Sequence, residues 1–244
     1  MNGSDHDKKI AAMFDRVAAR YDRLNRILSL GNDIRWRRRA VTHARLGPNE
    51  IALDVGVGTG DLAFDLLAAS DASSRVVGVD LSDAMLDLVR ARAAKSALGR
   101  RFEARPADAQ ALPFADASFD RVVAGFAVRN FGDLDAGLRE MHRVLRASGR
   151  AVILEFSQPP NAIVRALYRA YLHQFTPRLA VLFGGDAAAY GYLPRSIDAF
   201  PGADVLAKRL AAAGFRDVSY ERLLLGSVAI HVAHRRGPPI LPTA

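Results

Sequence analysis

A glycine turn that follows a short apolar run is the feature that most constrains the fold of this chain. Three glycines stand at alternate positions after the run Ile51–Val55: Gly56, Gly58 and Gly60. Glycine lacks a Cβ and adopts positive φ readily, so this turn lets the main chain approach a ligand closely. The residues that follow predict a helix, with Thr59 or Asp61 placed to cap it. A strand, a glycine turn and a helix N-terminus together predict a site for a nucleotide-like cofactor.

Acidic residues at the ends of the next two predicted strands support this interpretation. Asp80 ends the run that begins at Arg75, in a position where a carboxylate can accept hydrogen bonds from both hydroxyls of a ribose. Asp108 follows the predicted strand at 102–106, where an adenine edge is expected, so it is a candidate acceptor for the exocyclic amine. The glycine spacing differs from the dinucleotide fingerprint, which makes a dinucleotide oxidoreductase the less favoured class.

The rest of the chain alternates predicted strands and helices, which indicates an α/β fold with a parallel sheet covered on both faces. Strands are predicted at 51–55, 75–79, 102–106, 119–124 and 150–155. Apolar residues at three- and four-residue spacing predict helices at 8–25, 34–45, 61–69, 83–97, 134–146, 162–175 and 203–213. Ser82 is the expected cap of the helix at 83–97, and Gly214 is expected to end the helix at 203–213. Strands at 215–225 and 227–234 then predict an antiparallel hairpin at the sheet edge.

Length and composition favour one domain over residues 1–235, with an N-terminal helical region at 1–46 and a disordered tail at 236–244. The sequence contains no cysteine, which excludes a disulfide framework and thiol catalysis. No apolar run has the length of a membrane span, and the polar start of the chain lacks the core of a signal peptide, so we expect a cytoplasmic protein. A net charge of +8 predicts attraction to anionic surfaces.

Several motifs extend over nearly the whole chain. The first group is Phe14–Asp22 with Asn25, Leu53–Asp61, Leu112–Phe114 and Phe119–Asp120. A second, more specific group is Phe126–Asn130, Leu154–Ser157, and Gly185–Leu193 followed by Ser196 and Ile197. In these motifs the chain resembles the S-adenosylmethionine-dependent C-methyltransferases that methylate polyprenyl quinols in menaquinone and ubiquinone synthesis. One position departs from that pattern, because many relatives have a serine where this chain has Gly125.

The resemblance implies a Rossmann-like class I methyltransferase fold, whose seven-stranded, mostly parallel sheet ends in an antiparallel edge hairpin. It also implies that residues 160–200 form a helical lid insertion over the substrate. S-adenosylmethionine is the implied cofactor, and a polyprenyl quinol is the implied substrate. The residues predicted to bind the cofactor are Asp54, Gly56, Gly58, Thr59, Gly60, Asp80, Asp108 and Ala109.

The implied reaction transfers a methyl group from a sulfonium to a ring carbon next to a phenolic hydroxyl, which requires positioning and a stabilised oxyanion. The predicted catalytic residues are Arg129, Asn130 and Tyr190. Arg129 stays protonated in proteins and is expected to stabilise the phenolate, while Asn130 orients it. The alternatives are that Arg129 pairs with a surface carboxylate and that Asn130 caps the next helix. The proton acceptor stays open among a water, Tyr190, Glu155 and His173, and no metal site is expected.

These residues do not determine the ring of the substrate. Demethylmenaquinol is the preferred substrate, and 2-methoxy-6-polyprenyl-1,4-benzoquinol is the alternative. A non-catalytic scaffold that binds the cofactor within a quinone-synthesis assembly is a further alternative. A methyltransferase acting on RNA or protein is favoured by the isoelectric point near 10.3 but opposed by the lack of a recognisable nucleic-acid module, so no nucleic-acid partner is expected.

The densest cationic cluster, Arg35–Arg39, lies on a predicted helix and includes Trp36. Two interpretations are open. The cluster is a solvated helix face, or it contacts the inner face of a membrane, where a polyprenyl tail would hold the quinol headgroup at the interface. The second interpretation predicts peripheral association with that membrane. The sequence also leaves the formation of a homo-oligomer open.

Overall fold

One seven-stranded sheet organises the chain in the computed structural model, which describes residues 3–18, 21–175 and 187–235. In chain order its strands are β1 (Ile51–Val55), β2 (Arg75–Asp80), β3 (Phe102–Pro106), β4 (Phe119–Gly125), β5 (Leu145–Phe156), β6 (Arg216–Leu223) and β7 (Val228–His234). Their spatial order is β3-β2-β1-β4-β5-β7-β6. Strands β1 to β5 pair in parallel, and β7 pairs antiparallel with both β5 and β6. The predicted mostly parallel sheet with an antiparallel edge hairpin is therefore confirmed.

In the described ranges, three α-helices precede the first strand in the chain, and the others follow or connect the strands. The helices are α1 (Gly3–Val17), α2 (Tyr21–Leu28), α3 (Asn32–Ala44), α4 (Asp61–Ala68), α5 (Asp83–Lys95), α6 (Leu134–Val144), α7 (Ala162–Ala170), α8 (Ala187–Ala199) and α9 (Ala203–Ala212). Ser82 caps α5 as predicted, because its hydroxyl accepts the N–H of Met85 at 3.2 Å. Gly214 follows α9 with φ +107°, a left-handed conformation that suits glycine at the end of a helix.

The sheet is apolar on both faces because helices cover both faces. Successive strand residues point to opposite sides, so Ala52 packs in one core cluster while Leu53 packs in the other. The same alternation places Val123 on the first face and Val122 on the second. All four side chains are buried, and full burial of a side chain such as Leu53 stabilises the fold by about 2 kcal/mol. These buried strands fix the positions at which the connecting loops leave the sheet.

Strand β5 is longer than the prediction, which placed its start at residue 150. Its pairing with β4 shifts register between two pairs, Phe119 with Leu145 and Arg121 with Arg150, so residues 146–149 form an irregularity in the ladder. The predicted helix at 8–25 also differs, because it is divided between α1 and α2.

The region predicted as a lid, 160–200, is helical where it is described. The predicted helix at 162–175 is α7 followed by a π-helical turn at Tyr171–Phe175. Asn161 caps α7 by accepting the N–H groups of Ile163 and Val164. Residues 176–186 and the tail at 236–244 lie outside the described residues, so the lid role and the predicted disorder of the tail stay predictions.

The direction of the strand order changes between β1 and β4. The chain runs from β1 outward through β2 to β3, then returns to β4 on the other side of β1. The loops that follow β1 and β4 therefore diverge to opposite faces and leave a crevice at the carboxyl ends of these strands. Ligands of open α/β sheets bind in such crevices.

Candidate active site

A cavity of about 310 Å³ lies at this crevice, a volume within the range of small-molecule sites. Seven of the predicted cofactor residues line it: Asp54, Gly56, Gly58, Thr59, Asp80, Asp108 and Ala109. The predicted catalytic residues Arg129 and Asn130 line the same cavity. The fold thus brings the two predicted groups of residues, which come from separate loops, to one space.

The backbone conformation of the turn and the atoms packed around it explain why glycine occupies its three alternate positions. Gly56 has φ +73°, and a Cβ there would lie 2.4 Å from the Cβ of Ala127. Gly58 has φ +52°, and a Cβ there would meet no atom within 4 Å. Gly60 has φ +87°, but a Cβ there would lie 2.5 Å from a methyl of Val89, and Gly60 does not line the cavity. Packing against α5 therefore accounts for glycine at position 60, whose predicted contact with the cofactor stays a prediction.

The prediction that Thr59 or Asp61 caps α4 is wrong. The N-cap position is Gly60 itself, in a left-handed conformation and without a side-chain cap. The hydroxyl of Thr59 instead donates to Asp22 at 2.6 Å. Asp61 pairs with Arg37 at 2.9 Å and with Arg92 at 2.7 Å, so both candidates are engaged elsewhere.

Asp80 ties the glycine turn to the end of β2. One carboxylate oxygen accepts the N–H of Gly58 at 2.8 Å, and the other accepts the N–H of Ser82 at 3.0 Å. Burial raises the pKa of Asp80, and these backbone amides act in the opposite direction. Each oxygen keeps a further lone pair, so the carboxylate is held in place while it can still accept hydrogen bonds from a ribose.

Asp54 is the least satisfied acid of the site. It is 1% exposed, and neither carboxylate oxygen has a hydrogen-bond partner among the described residues. Burial and then the like charge of Asp80 raise the pKa of Asp54 to about 8, and the nearby backbone N–H of Ala63 acts in the opposite direction with a smaller effect. A buried carboxyl without a partner is costly, and a cationic donor in the cavity would relieve that cost. S-adenosylmethionine carries both an ammonium and a sulfonium, so this site fits its charge.

The loop after β3 is fixed by its own side chains. Asp108 accepts the backbone N–H of Gln110 at 2.8 Å and its side-chain amide at 3.1 Å. The side-chain carbonyl of Gln110 in turn accepts the N–H of Asp133 at 2.7 Å. Ala109, between them in sequence, is 8% exposed and lines the cavity. These contacts give the predicted adenine-binding loop a defined position.

The N-terminal helices form one wall of the cavity, in which Phe14 and Asp22 both line the space. Two side-chain hydrogen bonds attach this wall to the sheet. They are the bond from Thr59 to Asp22 and a bond of 2.5 Å from the hydroxyl of Ser82 to Asp15. Asp22 belongs to the motif Phe14–Asp22, whose sequence alone indicates no role for this carboxylate.

Arg129 forms a buried ion pair with Glu155. Its guanidinium lies 3.0 Å from the carboxylate, and the two side chains are 4% and 0% exposed. Glu155 also accepts the backbone N–H groups of Arg129 and Phe156, at 3.3 and 2.8 Å. Burial raises the pKa of Glu155, and the charge of Arg129 lowers it. The carboxylate partner of Arg129 is therefore a buried strand residue, not the surface acid considered as the alternative.

The backbone just before this pair is strained. Phe126 has φ +56°, a conformation that is rare for a bulky residue. Its N–H donates to Leu154 at 2.7 Å, and its ring packs 4.9 Å from that of Phe156. The Arg129 guanidinium also lies 5.2 Å from the centre of the Phe156 ring. These contacts hold the turn that directs Arg129 back toward β5.

Two tyrosines from residues 160–200 lie at this end of the site, and one of them, Tyr168, lines the cavity. The hydroxyl of Tyr192 donates to the side-chain carbonyl of Asn130 at 3.1 Å. The hydroxyl of Tyr168 is buried, has no hydrogen-bond partner among the described residues, and belongs to a side chain that lines the cavity. Burial raises the pKa of Tyr168. The sequence pattern does not distinguish Tyr168, because this residue occupies one of the apolar positions of a predicted helix.

The remaining candidates for proton transfer are placed less directly. The side chain of Tyr190 lies outside the described residues, so its predicted catalytic role stays a prediction. His173 lies 2.7 Å from Asp198, is 43% exposed and does not line the cavity. Glu155 is engaged by Arg129.

The cluster Arg35–Arg39 is exposed to solvent only in part. Trp36 is 8% exposed and packs near Phe126, with the ring centres 6.2 Å apart. Arg37 is 11% exposed and bonds to three acids, namely Asp33, Asp61 and Asp65. Arg39 pairs with Glu221 at 2.7 Å. The middle of the cluster thus joins α3 to α4 and to the core, whereas Arg35, Arg38 and Arg39 are exposed, as the interpretation of a solvated helix face predicts. The membrane contact of this cluster stays a prediction.

Solved structures with the same architecture define the class of fold. A S-adenosylmethionine-dependent methyltransferase of Thermotoga maritima superposes with a TM-score of 0.64 at 17% sequence identity, over 92% of this chain and 99% of that chain. A likeness at this identity concerns the fold alone. The fold is that of class I methyltransferases, as predicted.

Relatives found by sequence share a larger fraction of identical residues with this chain than the solved structure does. A protein of Thermus thermophilus named "Demethylmenaquinone methyltransferase" is 46% identical, over 91% of this chain and 100% of its own length. A protein of Geotalea uraniireducens named "Ubiquinone/menaquinone biosynthesis C-methyltransferase UbiE" is 41% identical, over 95% of this chain and 98% of its own length. Residues 2–235 match the profile of the ubiE/COQ5 methyltransferase family, and the chain belongs to that family.

Proposed function

We propose that this chain transfers the methyl group of S-adenosylmethionine to a ring carbon of a polyprenyl quinol, with demethylmenaquinol as its main substrate. One observation carries the proposal. One cavity joins the glycine turn and the acids of β1 and β2 to Arg129, the partner of buried Glu155, and to a buried tyrosine hydroxyl that has no hydrogen-bond partner among the described residues. The name of the Thermus thermophilus relative supports the naphthoquinol ring.

The cofactor would be held by the residues at the carboxyl ends of β1, β2 and β3. Asp80 would accept the ribose hydroxyls, Asp108 and Ala109 would border the adenine, and Asp54 would face the cationic end. Gly58, whose added Cβ would meet open space, leaves room for close approach of the main chain. When bound, S-adenosylmethionine supplies an electrophilic methyl group on a positively charged sulfur.

The chain's own groups would orient and activate the quinol. A ring carbon becomes nucleophilic when the neighbouring hydroxyl gives up its proton or shares it in a strong hydrogen bond. The Tyr168 hydroxyl is an available donor to that oxygen, and Asn130 is held for a similar contact by Tyr192. Arg129 would place positive charge near the developing phenolate, where a preorganised charge in a dry site lowers the barrier. Because Glu155 balances Arg129, the pair can remain charged without the substrate.

The reaction releases one proton in total. The quinol hydroxyl loses a proton, and the ring carbon forms its bond to the methyl group as the bond between that methyl group and the cofactor sulfur breaks, which leaves a neutral thioether. The ring carbon then loses its own proton as aromaticity returns, and the quinol oxygen takes up a proton again. Arginine stays protonated, so Arg129 stabilises charge and does not accept a proton. A water in the cavity and Tyr190 remain the candidate acceptors, since neither His173 nor Glu155 lines the cavity and Glu155 is engaged by Arg129.

Contact with the inner, cytoplasmic face of a membrane is part of the proposal. A polyprenyl tail partitions into lipid, so the ring that reacts lies at the bilayer interface. The net charge of +8 favours an anionic surface. None of the helices in the described ranges combines the length and the apolar character that a bilayer crossing requires.

The test is incorporation of labelled methyl from S-adenosylmethionine into demethylmenaquinol and into 2-methoxy-6-polyprenyl-1,4-benzoquinol by the purified protein. We expect product from demethylmenaquinol. The Geotalea uraniireducens relative, whose name includes both quinones, favours the benzoquinol as a second substrate. Binding of S-adenosylmethionine without incorporation into either quinol would contradict the proposal and favour a scaffold.

Two variants separate cofactor binding from catalysis. Asp80→Ala should weaken S-adenosylmethionine binding far more than it lowers turnover at saturation, because it removes the ribose acceptor. Arg129→Ala should lower turnover far more than it weakens cofactor binding. Thermal unfolding of each variant is the control, and equal losses of binding and turnover in both variants would argue against these roles.

A further inference from the structure

Large aliphatic side chains surround the entrance of the cavity while remaining exposed to solvent. Five of them form what we term the leucine rim: Leu30 (84% exposed), Ile163 (73%), Leu167 (67%), Leu224 (55%) and Leu225 (75%). Scattered exposed leucines are ordinary on protein surfaces, but a group around one opening marks an interaction site. Three separate segments supply the rim, namely the turn after α2, the helix α7 and the 3₁₀ turn between β6 and β7.

Contacts between these segments place the rim at the cavity. Leu30 and Leu224 themselves line the cavity. The hydroxyl of Tyr171, one turn beyond Leu167, donates to the carbonyl of Leu28 at 3.0 Å and so joins α7 to the end of α2. The 3₁₀ turn lies against the start of α7, since a Cβ on Gly226 would be 2.7 Å from Pro160.

Backbone strain gives a second, independent reason to assign a function to the rim. Leu30, Leu224 and Leu225 have φ of +51°, +44° and +56°. This left-handed region favours glycine or asparagine and is costly for a bulky side chain. Glycine or asparagine would relieve the strain and expose less apolar surface. Folding of the free protein therefore does not explain leucine at these positions, whereas a contact outside the chain does.

Charge on α7 indicates the chemistry of that contact. The helix carries Arg165 and Arg169 and no acidic residue. The side chain of Arg169 is 57% exposed, although it pairs with Asp198 at 3.2 Å. Aliphatic side chains interleaved with arginine on one helix are typical of segments that lie in the interface of an anionic bilayer. A net charge of +8 for the whole chain acts in the same direction.

We infer that the leucine rim inserts into the interface of an anionic bilayer and docks the cavity entrance against the lipid. The inference rests on the proposed function, because a polyprenyl quinol must leave the bilayer through such an entrance. A second copy of the chain is the other occupant to consider, but it would cover the entrance that the substrate needs. In this inference the rim, and not Arg35–Arg39, is the membrane-contacting surface, because Trp36 of that cluster is buried and Arg37 is bound to three acids.

The test uses three rim residues that do not line the cavity, combined in the variant Ile163→Ser/Leu167→Ser/Leu225→Ser. The matched control is Leu88→Ser/Val205→Ser, which removes exposed aliphatic side chains (37% and 48%) from α5 and α9, outside the rim. Flotation with vesicles of equal parts phosphatidylcholine and phosphatidylglycerol measures binding of the full chain. We expect the partition coefficient of the rim variant to fall about tenfold or more, and that of the control to remain unchanged. Vesicles of pure phosphatidylcholine should bind the wild type less strongly.

Folding and activity are measured on the same proteins. Circular dichroism and calorimetric binding of S-adenosylmethionine check the fold, and Leu225→Asn is the variant to use if the triple variant fails, since asparagine suits the left-handed backbone. The KM for a long-tailed quinol in vesicles should rise in the rim variant, with turnover of a short-tailed quinol in buffer unchanged.

Two results would overturn the inference. One is a folded rim variant that binds anionic vesicles as strongly as the wild type does. The other is a rim variant whose oligomeric state changes while its lipid binding does not. Vesicle binding is measured without quinol. A protein that binds vesicles through the rim but methylates no quinol would therefore contradict the proposed function alone.

Discussion

The buried pair of Arg129 and Glu155 makes a prediction about stability that does not depend on turnover. The substitution Glu155→Gln keeps the size of the side chain and removes its charge. At the observed separation of 3.0 Å, and with an effective dielectric constant of about 20, the Coulomb attraction amounts to about 5.5 kcal/mol. Desolvation of both groups offsets much of this attraction in the intact protein. The substitution leaves the desolvation cost of Arg129 in place while it removes the attraction.

We therefore expect Glu155→Gln to lower the free energy of unfolding by about 3 to 5 kcal/mol, the usual effect of removing one partner of a buried pair. Denaturation in urea, followed by circular dichroism, measures this change. The double variant Arg129→Met/Glu155→Leu is the control, because it removes both charges. It should lose much less than the two single variants together. A loss below about 1 kcal/mol for Glu155→Gln, as expected of an exposed pair, would refute this reasoning.

Three further predictions concern single residues of the site. Folded Asp54 holds its proton up to a pH of about 8, whereas the unfolded residue releases it near 3.8. The free energy of unfolding should therefore fall by about 1.4 kcal/mol per pH unit across that interval, and denaturation of Asp54→Asn should lack this slope. Tyr168→Phe removes a buried hydroxyl that has no hydrogen-bond partner in the described part of the chain, so the free energy of unfolding should not fall, while kcat drops about tenfold. A lower stability with unchanged kcat would contradict the proposed role of Tyr168. Gly56→Ala should destabilise the fold by about 2 to 4 kcal/mol, because of a Cβ contact of 2.4 Å, and Gly58→Ala by only about 1 kcal/mol; equal thermal shifts would contradict this packing argument.

The sheet could be predicted from the sequence because its strands are apolar runs that end in defined turns. Strand β1 has the predicted bounds, since both of its faces are buried and Gly56 ends it. The start of β5 could not be predicted, because Ser148 and Gly149 interrupt the apolar pattern although the strand continues through a change of register. Local signals thus define a strand well where its pairing is regular and poorly where it is not.

The site shows the same division between local and long-range information. Asp80 could be identified because its distance from the glycine turn is a local property of one βα unit. The partner of Arg129 could not, since Glu155 comes from a later strand and meets Arg129 only through the pairing of β4 with β5. The prediction of the α4 cap was wrong for the same reason, because Thr59 and Asp61 each bond to a residue distant in sequence.

The attachment of the N-terminal wall has a consequence for the timing of the catalytic cycle. Two contacts between a hydroxyl and a carboxylate, Thr59 with Asp22 and Ser82 with Asp15, hold the wall over the cofactor side of the cavity. The backbone N–H of Ala84 also donates to Asp15, at 3.3 Å. We expect that exchange of spent cofactor for fresh cofactor at that side requires these contacts to open, so each new round of methyl transfer would depend on movement of α1 and α2 as well as on the chemistry.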